Sequence, residues 1–452
     1  MAKPLMGSSL RAASAPPNEA GARASAEAPG TRLRLRTCLG LSVLIASFFV
    51  FWGLHRPPLH PWDEAWYAKI ALEMVRGGDW LVYYSDGEVD PAVLKPPLGL
   101  WAMAAAFRLL GPTEFAARIF SALCYVGLVI ATTVFCYARF NWRVAVLAAF
   151  FLSGDRMLLF THGARSGNMD APLILLLTLT VFSAWYLGQR RAPWWGCLAY
   201  AGAWLVKGLA ALQVLPVIVP WIVVRRAQGW LWRYALLVAV SLLPFAVWLT
   251  VRETRQPGFA LQMIGQDLIA RWETSVDTPG APPDDYLISL GRSAAPVFWS
   301  IVLAALVLRG RFSLDKQLAK PSERSALILL LLLWWLVPLL LFTLARTHRD
   351  WYIYPTYVPA YILAAWLLTA GVQRLRALGR TKVAALVSIL ALGGLALPSF
   401  WKAVHTSRLD RQRVAEIESL VDRVRQAGAT CTLVAYRPDR RVRFYLSRAD
   451  AP

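Results

Sequence analysis

The chain has 452 residues, of which 57% are hydrophobic and 17% are charged, and it contains 21 Trp. This composition is too apolar for a soluble protein of this length and indicates a protein whose solvent is the lipid bilayer. The formal net charge is +21, but most Arg and Lys lie in short runs between apolar segments. That distribution argues against nucleic-acid binding and is typical of membrane-topology signals and phosphate ligands. The five Cys have no metal-ligand or redox spacing, so neither a disulfide framework nor a zinc site is expected.

Residues 1–36 are rich in Ala, Pro, Ser and Arg and are predicted to be a disordered basic cytoplasmic tail. The apolar run at 37–54 has no cleavage pattern after it, so we expect an uncleaved anchor. Residues 37–401 predict an all-α polytopic membrane domain with about eleven transmembrane helices, each an apolar stretch long enough to cross the hydrocarbon. The predicted spans lie near 37–55, 115–137, 143–161, 171–188, 194–207, 208–224, 231–251, 292–309, 325–345, 352–370 and 383–401.

Basic residues in short connecting loops orient these spans. Arg32, Arg34 and Arg36 place the N-terminus inside, and every later inside loop is also basic. The pattern requires that the short apolar stretch 98–110 is a juxtamembrane or re-entrant helix rather than a span. Three segments then face outward, at 55–97, 161–170 and 253–291, together with a basic turn at 346–351.

Residues 402–452 are predicted to form a small C-terminal α/β appendage on the periplasmic side. The pattern indicates a helix near 411–426 and strands near 431–436 and 442–446. Because this segment contains many Arg, an inside location stays open as an alternative.

The first outer loop contains Asp63 and Glu64 at the start of a predicted helix that runs to about Arg76. Asp63, Tyr67 and Ile70 share one face of that helix, and an apolar stripe formed by Trp66, Ile70 and Met74 could lie in the headgroup layer. Asp63 would then lie where the head of a lipid substrate lies. The alternative is that Asp63 and Glu64 are solvated charges favoured by the helix dipole.

The other outer segments add further candidates. Arg165 and Asp170 lie in the second loop, where Asp170 is equally explained as an N-terminal helix residue ahead of Pro172. Lys207 lies at the outer junction of two spans, either as a site residue or as a cation that extends to the interface. The turn at 346–351 puts cations, including Arg349, on the outer side of the membrane, where the positive-inside rule disfavours them. Their presence there favours an anionic ligand.

Taken in order, these features resemble the C-type glycosyltransferase superfamily, in particular bacterial members related to protein mannosyltransferases and to the aminoarabinose transferases that modify lipid A. The likeness covers roughly residues 41–367. It consists of the Asp-Glu pair, a Lys-Pro-Pro-Leu segment from Lys95, an Arg-x-Gly-x-x-Asp loop, a Lys-Gly junction and a Tyr-x-x-Pro turn from Tyr352.

The resemblance implies that Asp63 is the catalytic carboxylate and Asp170 a second catalytic acidic residue. Lys95 would contact the lipid phosphate. The full set of expected substrate-binding residues is Glu64, Tyr67, Lys95, Arg165, Lys207, His348, Arg349 and Tyr352. Two positions depart from the family pattern. Leu94 stands where the aminoarabinose enzymes have an acidic residue that helps to hold a metal, and Thr347-His348-Arg349 replaces a turn of small residues and Lys, so His348 and Arg349 could rebuild the phosphate clamp.

Together with these features, the resemblance implies an inverting membrane glycosyltransferase that moves a sugar from a polyprenyl-phosphate carrier to a lipid, glycan or protein acceptor. The site is expected on the periplasmic face of a bacterial inner membrane. The expected partners are this donor and membrane lipids, with no nucleic acid. No metal cofactor is expected, although a divalent ion stays open. The alternatives are a transporter or flippase for an anionic substrate, against which the absence of an internal repeat argues, and a structural assembly subunit.

Overall fold

The computed structural model describes residues 29–85, 87–186, 194–224, 231–274, 286, 321–426, 444–445 and 448. The described part is almost entirely helical, apart from a two-stranded antiparallel hairpin, β1 Tyr84–Ser85 with β2 Glu88–Val89. The α-helices, in chain order, are α1 Pro29–Phe51, α2 Asp63–Val75, α3 Pro97–Leu110, α4 Glu114–Arg139, α5 Trp142–Gly154, α6 Arg156–Phe160, α7 Asp170–Trp185, α8 Trp194–Lys207, α9 Leu215–Val224, α10 Leu231–Arg255, α11 Phe259–Ile264, α12 Arg271–Glu273, α13 Pro321–Leu344, α14 Tyr354–Ala377 and α15 Thr381–Gln426. Short 3₁₀ helices cover Gly208–Val214 and Asp350–Ile353, and a π-helix covers Gly265–Ala270.

The polytopic all-α fold predicted from the sequence is confirmed. Within the described residues, seven helices are long and apolar enough to cross a membrane, and α3, α5 and α7 are shorter apolar helices. The predicted total of about eleven spans is not confirmed, and the span expected at 292–309 lies outside the described residues. At 14 residues α3 is about 21 Å long, too short to cross the hydrocarbon, as expected.

One of the seven candidate spans, Trp194–Val223, reverses its direction at Gly208. Gly208 has a φ of +55°, a left-handed conformation that glycine adopts without a side-chain clash. Trp195 and Trp221, near the two ends of this stretch, both have rings about 6 Å from aromatic rings at the end of α7. Lys207, just before Gly208, pairs instead with the first residue of α7. The two halves therefore run antiparallel, and the separate spans predicted at 194–207 and 208–224 stay a prediction.

The helix α2 lies inside the protein. Ile70 is fully buried and Met74 is 2% exposed, because α2 packs against α3 and their apolar faces are buried together. The indole N–H of Trp66 donates to Asp90 at 2.6 Å. The prediction that this apolar stripe lies in the headgroup layer is therefore wrong. Protein contacts, rather than lipid, hold Asp63 at the helix start.

The C-terminal residues contact the same end of the bundle as the first outer loop. The Tyr445 hydroxyl donates to Glu114 at 2.7 Å and accepts from the Leu59 N–H at 3.2 Å, and Phe444 packs against Phe107. Arg448 also reaches Glu114. These contacts favour the predicted outer location of the tail over the inside alternative.

The predicted strand at 442–446 is wrong at its described residues, because Phe444 and Tyr445 have helical backbones. Tyr445 and Arg448 both reach the Glu114 carboxylate. The helix expected at 411–426 is the last part of α15, which runs without a break across the predicted domain boundary at 402. The strand expected at 431–436 lies outside the described residues, and the predicted domain division stays a prediction.

Candidate active site

Asp63 and Tyr67 lie one turn apart at the start of α2 and face the same side. No described residue makes a hydrogen bond or an ion pair with the Asp63 carboxylate. Tyr67 is 4% exposed, and burial, followed by the charges of Asp63, Asp170 and Asp267, raises the pKa of its phenol well above the usual range. Carboxylates from three outer segments therefore act on the Tyr67 phenol through their charge.

Glu64 has a different environment from its neighbour. It is 2% exposed, and its two oxygens accept from Arg118 Nε at 2.7 Å, Arg118 Nη2 at 3.1 Å, the His60 N–H at 2.6 Å and the Gly167 N–H at 2.8 Å. A carboxylate has about four lone-pair sites, so all of them are used. Burial alone would raise the pKa of Glu64, but Arg118 and the two backbone donors hold it below its usual range. This geometry argues against the predicted substrate-binding role of Glu64.

Arg118 connects the loop before α2 to the Glu64 carboxylate. Its Nη1 donates to the carbonyls of Leu54 and Pro57, and its Nη2 donates to that of Pro58, at 2.8 to 2.9 Å. The side chain is buried among these acceptors. One guanidinium thus fixes the path of the chain into the start of the Asp63 helix.

The second outer loop is held by tight backbone contacts. A side chain at Gly167 would meet the carbonyl of Ala117 at 2.9 Å, so the approach of this loop to α4 requires glycine. Arg165 Nη1 donates to the carbonyls of Phe49 and Val50 at the end of α1, both at 2.9 Å. Arg165 therefore binds the end of α1, and its predicted contact with substrate is not supported by this geometry.

Asp170 is the first residue of α7 and is 3% exposed. It forms a buried ion pair with Lys207, and its other oxygen lies 3.9 Å from His162 Nδ1. Burial lowers the pKa of His162, although Asp170 and Asp63 oppose that shift. The pair explains Lys207 as a partner of Asp170 rather than as a cation that extends to the interface.

His162 joins the second loop to the last outer turn. Its ring stacks on Trp351 with centroids 3.7 Å apart, and its φ is +53°, a conformation that is uncommon for a residue other than glycine. The guanidinium of Arg349 lies 5.5 Å from the Trp351 ring centroid. The aromatic stack thus brings Arg349 to the side of the site that holds Asp170.

Lys95 lies in a second cluster, with residues of the third outer segment. Its Nζ lies 3.1 and 3.3 Å from the two oxygens of Asp267. Arg271 Nε lies 3.3 Å from Asp267 Oδ1, and Arg271 Nη1 donates to the Tyr352 hydroxyl. The Tyr83 hydroxyl donates to the Lys95 carbonyl at 2.9 Å. Lys95 and Arg271, two cations that are suited to bind a phosphate, therefore both pair with the Asp267 carboxylate.

His348 does not join this cluster. Its Nε2 lies 3.3 Å from the Thr343 carbonyl, and its ring contacts Tyr286 edge to face. The Arg349 N–H donates to the Tyr286 hydroxyl at 3.0 Å. The cation that shares Asp267 with Lys95 is Arg271, and the phosphate clamp predicted from His348 and Arg349 stays a prediction.

Four site residues were absent from the predicted set: Arg118, His162, Asp267 and Arg271. Arg118 carried a usable signal, since a charge inside an apolar span is a site candidate by default. Asp267 and Arg271 have the four-residue spacing of a helical ion pair. Because the third outer segment is long, that spacing alone did not single them out. His162 has no local signal, because its stacking partner is distant in the sequence.

The residues near Lys95 do not fit the metal site that the family resemblance implies. Leu94 has no ligand atom and is 5% exposed. Among the described residues, no group of three or more His, Cys, Asp or Glu is arranged to hold a metal ion.

Comparisons with known proteins agree with this fold. Residues 94–250 match the family described as Dolichyl-phosphate-mannose-protein mannosyltransferase. The undecaprenyl phosphate-alpha-4-amino-4-deoxy-L-arabinose arabinosyl transferase of Aeromonas hydrophila is 30% identical over 338 residues, which cover 71% of this chain and 58% of that protein. Arabinosyl transferase 1 of this type from Pseudomonas fluorescens is 28% identical over 338 residues, covering 71% of this chain and 56% of that protein. The chain thus spans 56 to 58% of the length of these two relatives.

Two solved structures share the fold. ArnT from Cupriavidus metallidurans, bound to undecaprenyl phosphate, superimposes with a TM-score of 0.69 at 20% identity, covering 90% of this chain and 84% of that one. The Archaeoglobus fulgidus oligosaccharyltransferase in the apo form gives a TM-score of 0.53 at 14% identity, covering 82% of this chain and 56% of that one. By its fold, its sequence matches and its ordered motifs, the chain belongs to the C-type glycosyltransferase superfamily and is similar to the aminoarabinose transferases.

Proposed function

We propose that this chain transfers a sugar from a polyprenyl monophosphate carrier to an acceptor at the periplasmic face of the inner membrane, with inversion at the anomeric carbon. The observation that supports this best is the Asp63 carboxylate, which is unpaired among the described residues and whose charge acts on the Tyr67 phenol, as does that of Arg271 in the cationic cluster. The relatives' names add undecaprenyl phosphate-linked aminoarabinose as the first donor to test.

Asp63 is the base in this proposal. The acceptor hydroxyl attacks the anomeric carbon, its proton passes to the Asp63 carboxylate, and the bond between that carbon and the phosphate oxygen breaks. A general base needs lone pairs that can reach the proton it removes, and those of Asp63 are not taken by any described residue. Its neighbour Glu64, with all four sites occupied, cannot perform this step.

Lys95 and Arg271 bind the phosphate. Negative charge collects on the phosphate oxygens as the bond to the sugar breaks, and cations already fixed nearby stabilise that charge without reorganisation. Tyr352 holds Arg271 in place through its hydroxyl. We propose that these cations act without a metal ion, because Leu94 and the surrounding donors do not form a ligand set.

Asp170 steadies the positive charge that develops on the sugar ring. Its carboxylate is oriented by Lys207 and is among the charges that act on Tyr67, which supports a position on the same side as Asp63. Because Lys207 already neutralises part of its charge, Asp170 is less suited than Asp63 to accept the acceptor's proton.

The deciding experiment is an assay of bond cleavage. The purified full-length protein, in nanodiscs, is given undecaprenyl phosphate-linked 4-amino-4-deoxy-L-arabinose or another polyprenyl phosphate sugar, with an outer-membrane lipid extract as acceptor. We expect free undecaprenyl phosphate to appear together with glycosylated acceptor. Movement of an intact donor across proteoliposome membranes, with no release of polyprenyl phosphate from any donor, would contradict the proposal and favour a flippase.

A further inference from the structure

The two cations proposed to bind the phosphate share an internal anion. Asp267 Oδ2 lies 3.1 Å from Lys95 Nζ, and Asp267 Oδ1 lies 3.3 Å from both Lys95 Nζ and Arg271 Nε. The side chain of Asp267 is 16% exposed. Burial alone would raise the pKa of Asp267, but the charges of Lys95 and Arg271 hold it below its usual range, so the group is a carboxylate at neutral pH.

The position of Asp267 is fixed by its local structure. It lies in the π-helix Gly265–Ala270, a form of helix that often occurs at functional sites. Arg271 follows it by four residues and is itself held by Tyr352, while Lys95 comes from a different outer segment. Because Lys95 and Arg271 both pair with Asp267, its carboxylate is a fixed part of the phosphate clamp.

The net charge of this cluster is therefore about +1, from two cations and one carboxylate. A donor with a sugar on its phosphate is a phosphodiester with one negative charge. The product is a phosphomonoester, which carries a charge of about −1.5 to −2 at pH 7 because its second pKa is about 6. Without Asp267 the clamp would carry two positive charges and would match the product better than the donor.

We propose that Asp267 is a specificity determinant that sets the charge of the phosphate site to match a phosphodiester donor and to release a phosphomonoester product. This inference rests on the proposed function and adds how the site distinguishes the lipid that enters from the lipid that leaves. Without this carboxylate, the product would stay bound and inhibit the next cycle.

The proposal makes a quantitative prediction. Coulomb energy is proportional to the product of the two charges, so the repulsion between Asp267 and a dianion is about twice its repulsion with a monoanion in the same place. If Asp267→Asn lowers the Kd of a diester by some factor, the Kd of the matching monoester should fall by about the square of that factor. A threefold gain for the diester thus implies about a tenfold gain for the monoester.

Binding of two short lipids tests this without knowledge of the sugar. Farnesyl phosphate is the monoester probe and methyl farnesyl phosphate is the diester probe, each titrated into the detergent-solubilised full-length protein at pH 8, where the monoester is close to a dianion. Asp267→Asn should tighten binding of the monoester more than that of the diester. Asp267→Glu keeps the charge and should leave the ratio of the two Kd values near that of the wild type.

A matched control is Glu88→Gln, which removes one negative charge from an exposed position on the hairpin of the first outer loop. It should change neither Kd, because solvent and salt screen a charge at that position. Equal tightening of both esters by Asp267→Asn, or weaker binding of both, would overturn the inference while leaving the proposed function intact. Wild-type protein that binds neither ester would overturn the proposed donor class as well.

Discussion

The Glu64 carboxylate accepts a hydrogen bond from the Gly167 N–H at 2.8 Å, between residues 103 positions apart in the chain. Glu64 follows Asp63 directly, and Gly167 lies three residues before Asp170. One buried carboxylate, held by Arg118, thus sets the relative positions of the two acidic residues to which we assign chemistry. Glu64 acts through this geometry rather than through the substrate.

Glu64→Gln should destabilise the protein strongly. The amide keeps the shape but leaves the Arg118 guanidinium buried without its counter-charge, and breaking a buried ion pair in this way costs about 3 to 5 kcal/mol. Thermal unfolding in detergent, followed by tryptophan fluorescence, should show a clear loss of stability together with a loss of transfer. Glu73→Gln, a half-buried position on the same helix, is the control and should unfold near the wild-type temperature.

The pH dependence of this effect has a definite sign. The pKa of Glu64 is lowered in the folded state from its ordinary value of 4.5, so the stabilisation is complete above about pH 4.5. It is lost as the pH falls through the lowered pKa. The stability difference between wild type and Glu64→Gln should therefore be constant at neutral pH and shrink in acid. A difference that grows as the pH falls would contradict the ion-pair assignment.

The site should be accessible from outside the cell membrane. In a protein without its five native Cys, Glu88→Cys introduces a thiol on the exposed β-hairpin of the first outer loop. A membrane-impermeant maleimide should label it in intact spheroplasts, because basic loops hold the opposite face inside. Leu378→Cys is the control. Leu378 is 52% exposed and directly follows α14, a 24-residue helix about 36 Å long that starts beside the site.

The control thiol should react only after the membrane is permeabilised. The reverse pattern, with position 88 protected and position 378 labelled, would invert the topology. It would place the candidate active site in the cytoplasm, where the proposed acceptor is not available.

Asp170 and Lys207 should be coupled in stability but not in activity. Asp170→Asn or Lys207→Gln alone leaves a buried charge without its partner, whereas the double variant removes both charges. The coupling free energy of unfolding from a double-mutant cycle should lie between about 0.5 and 3 kcal/mol. Because Asp170 is proposed to face the sugar as well, the double variant should regain stability and stay inactive. Recovery of transfer in the double variant would show that Asp170 has only a structural role.

The overall fold could be predicted because the bilayer leaves few options for the backbone. Apolar runs of sufficient length must be helices, and basic loops orient them. The Lys207–Gly208 reversal was also visible, as a cation followed by a glycine between two apolar runs. Burial was harder to predict. The stripe from Trp66 to Met74 has the same pattern whether lipid or α3 covers it, so the sequence could not decide.

The candidate site was predictable where chemistry depends on local pattern and less so where it depends on long-range contacts. The charges of Asp63 and Asp170 both act on Tyr67, although the chemical roles of these residues and their side of the membrane stay predictions. The sequence could not assign different roles to the adjacent carboxylates of Asp63 and Glu64, since only the contacts of Glu64 distinguish it from Asp63. The partner of Lys95 was missed for the same reason, because Asp267 is 172 positions away in the chain.

Variants of the proposed base and variants of the phosphate clamp should have different effects on turnover and on the KM for the donor. Asp63→Asn keeps the shape of the side chain but cannot take the acceptor's proton, so turnover should fall by about a hundredfold or more. The KM for the donor should change little. Lys95→Ala and Arg271→Ala each remove a cation that meets a charge present in both the bound donor and the transition state, so they should raise the KM and lower turnover as well.

Two further measurements sharpen this test. Lys95→Arg should restore only part of the activity, because a planar guanidinium replaces a compact ammonium and Pro96 restricts the backbone at Lys95. Divalent metal should not rescue any of these variants, and a chelator should leave the wild type active, since Leu94 supplies no ligand atom. Near wild-type turnover in Asp63→Asn would show that the Asp63 carboxylate is only a solvated charge at the start of α2. Unchanged donor affinity in both alanine variants would show that the phosphate binds elsewhere.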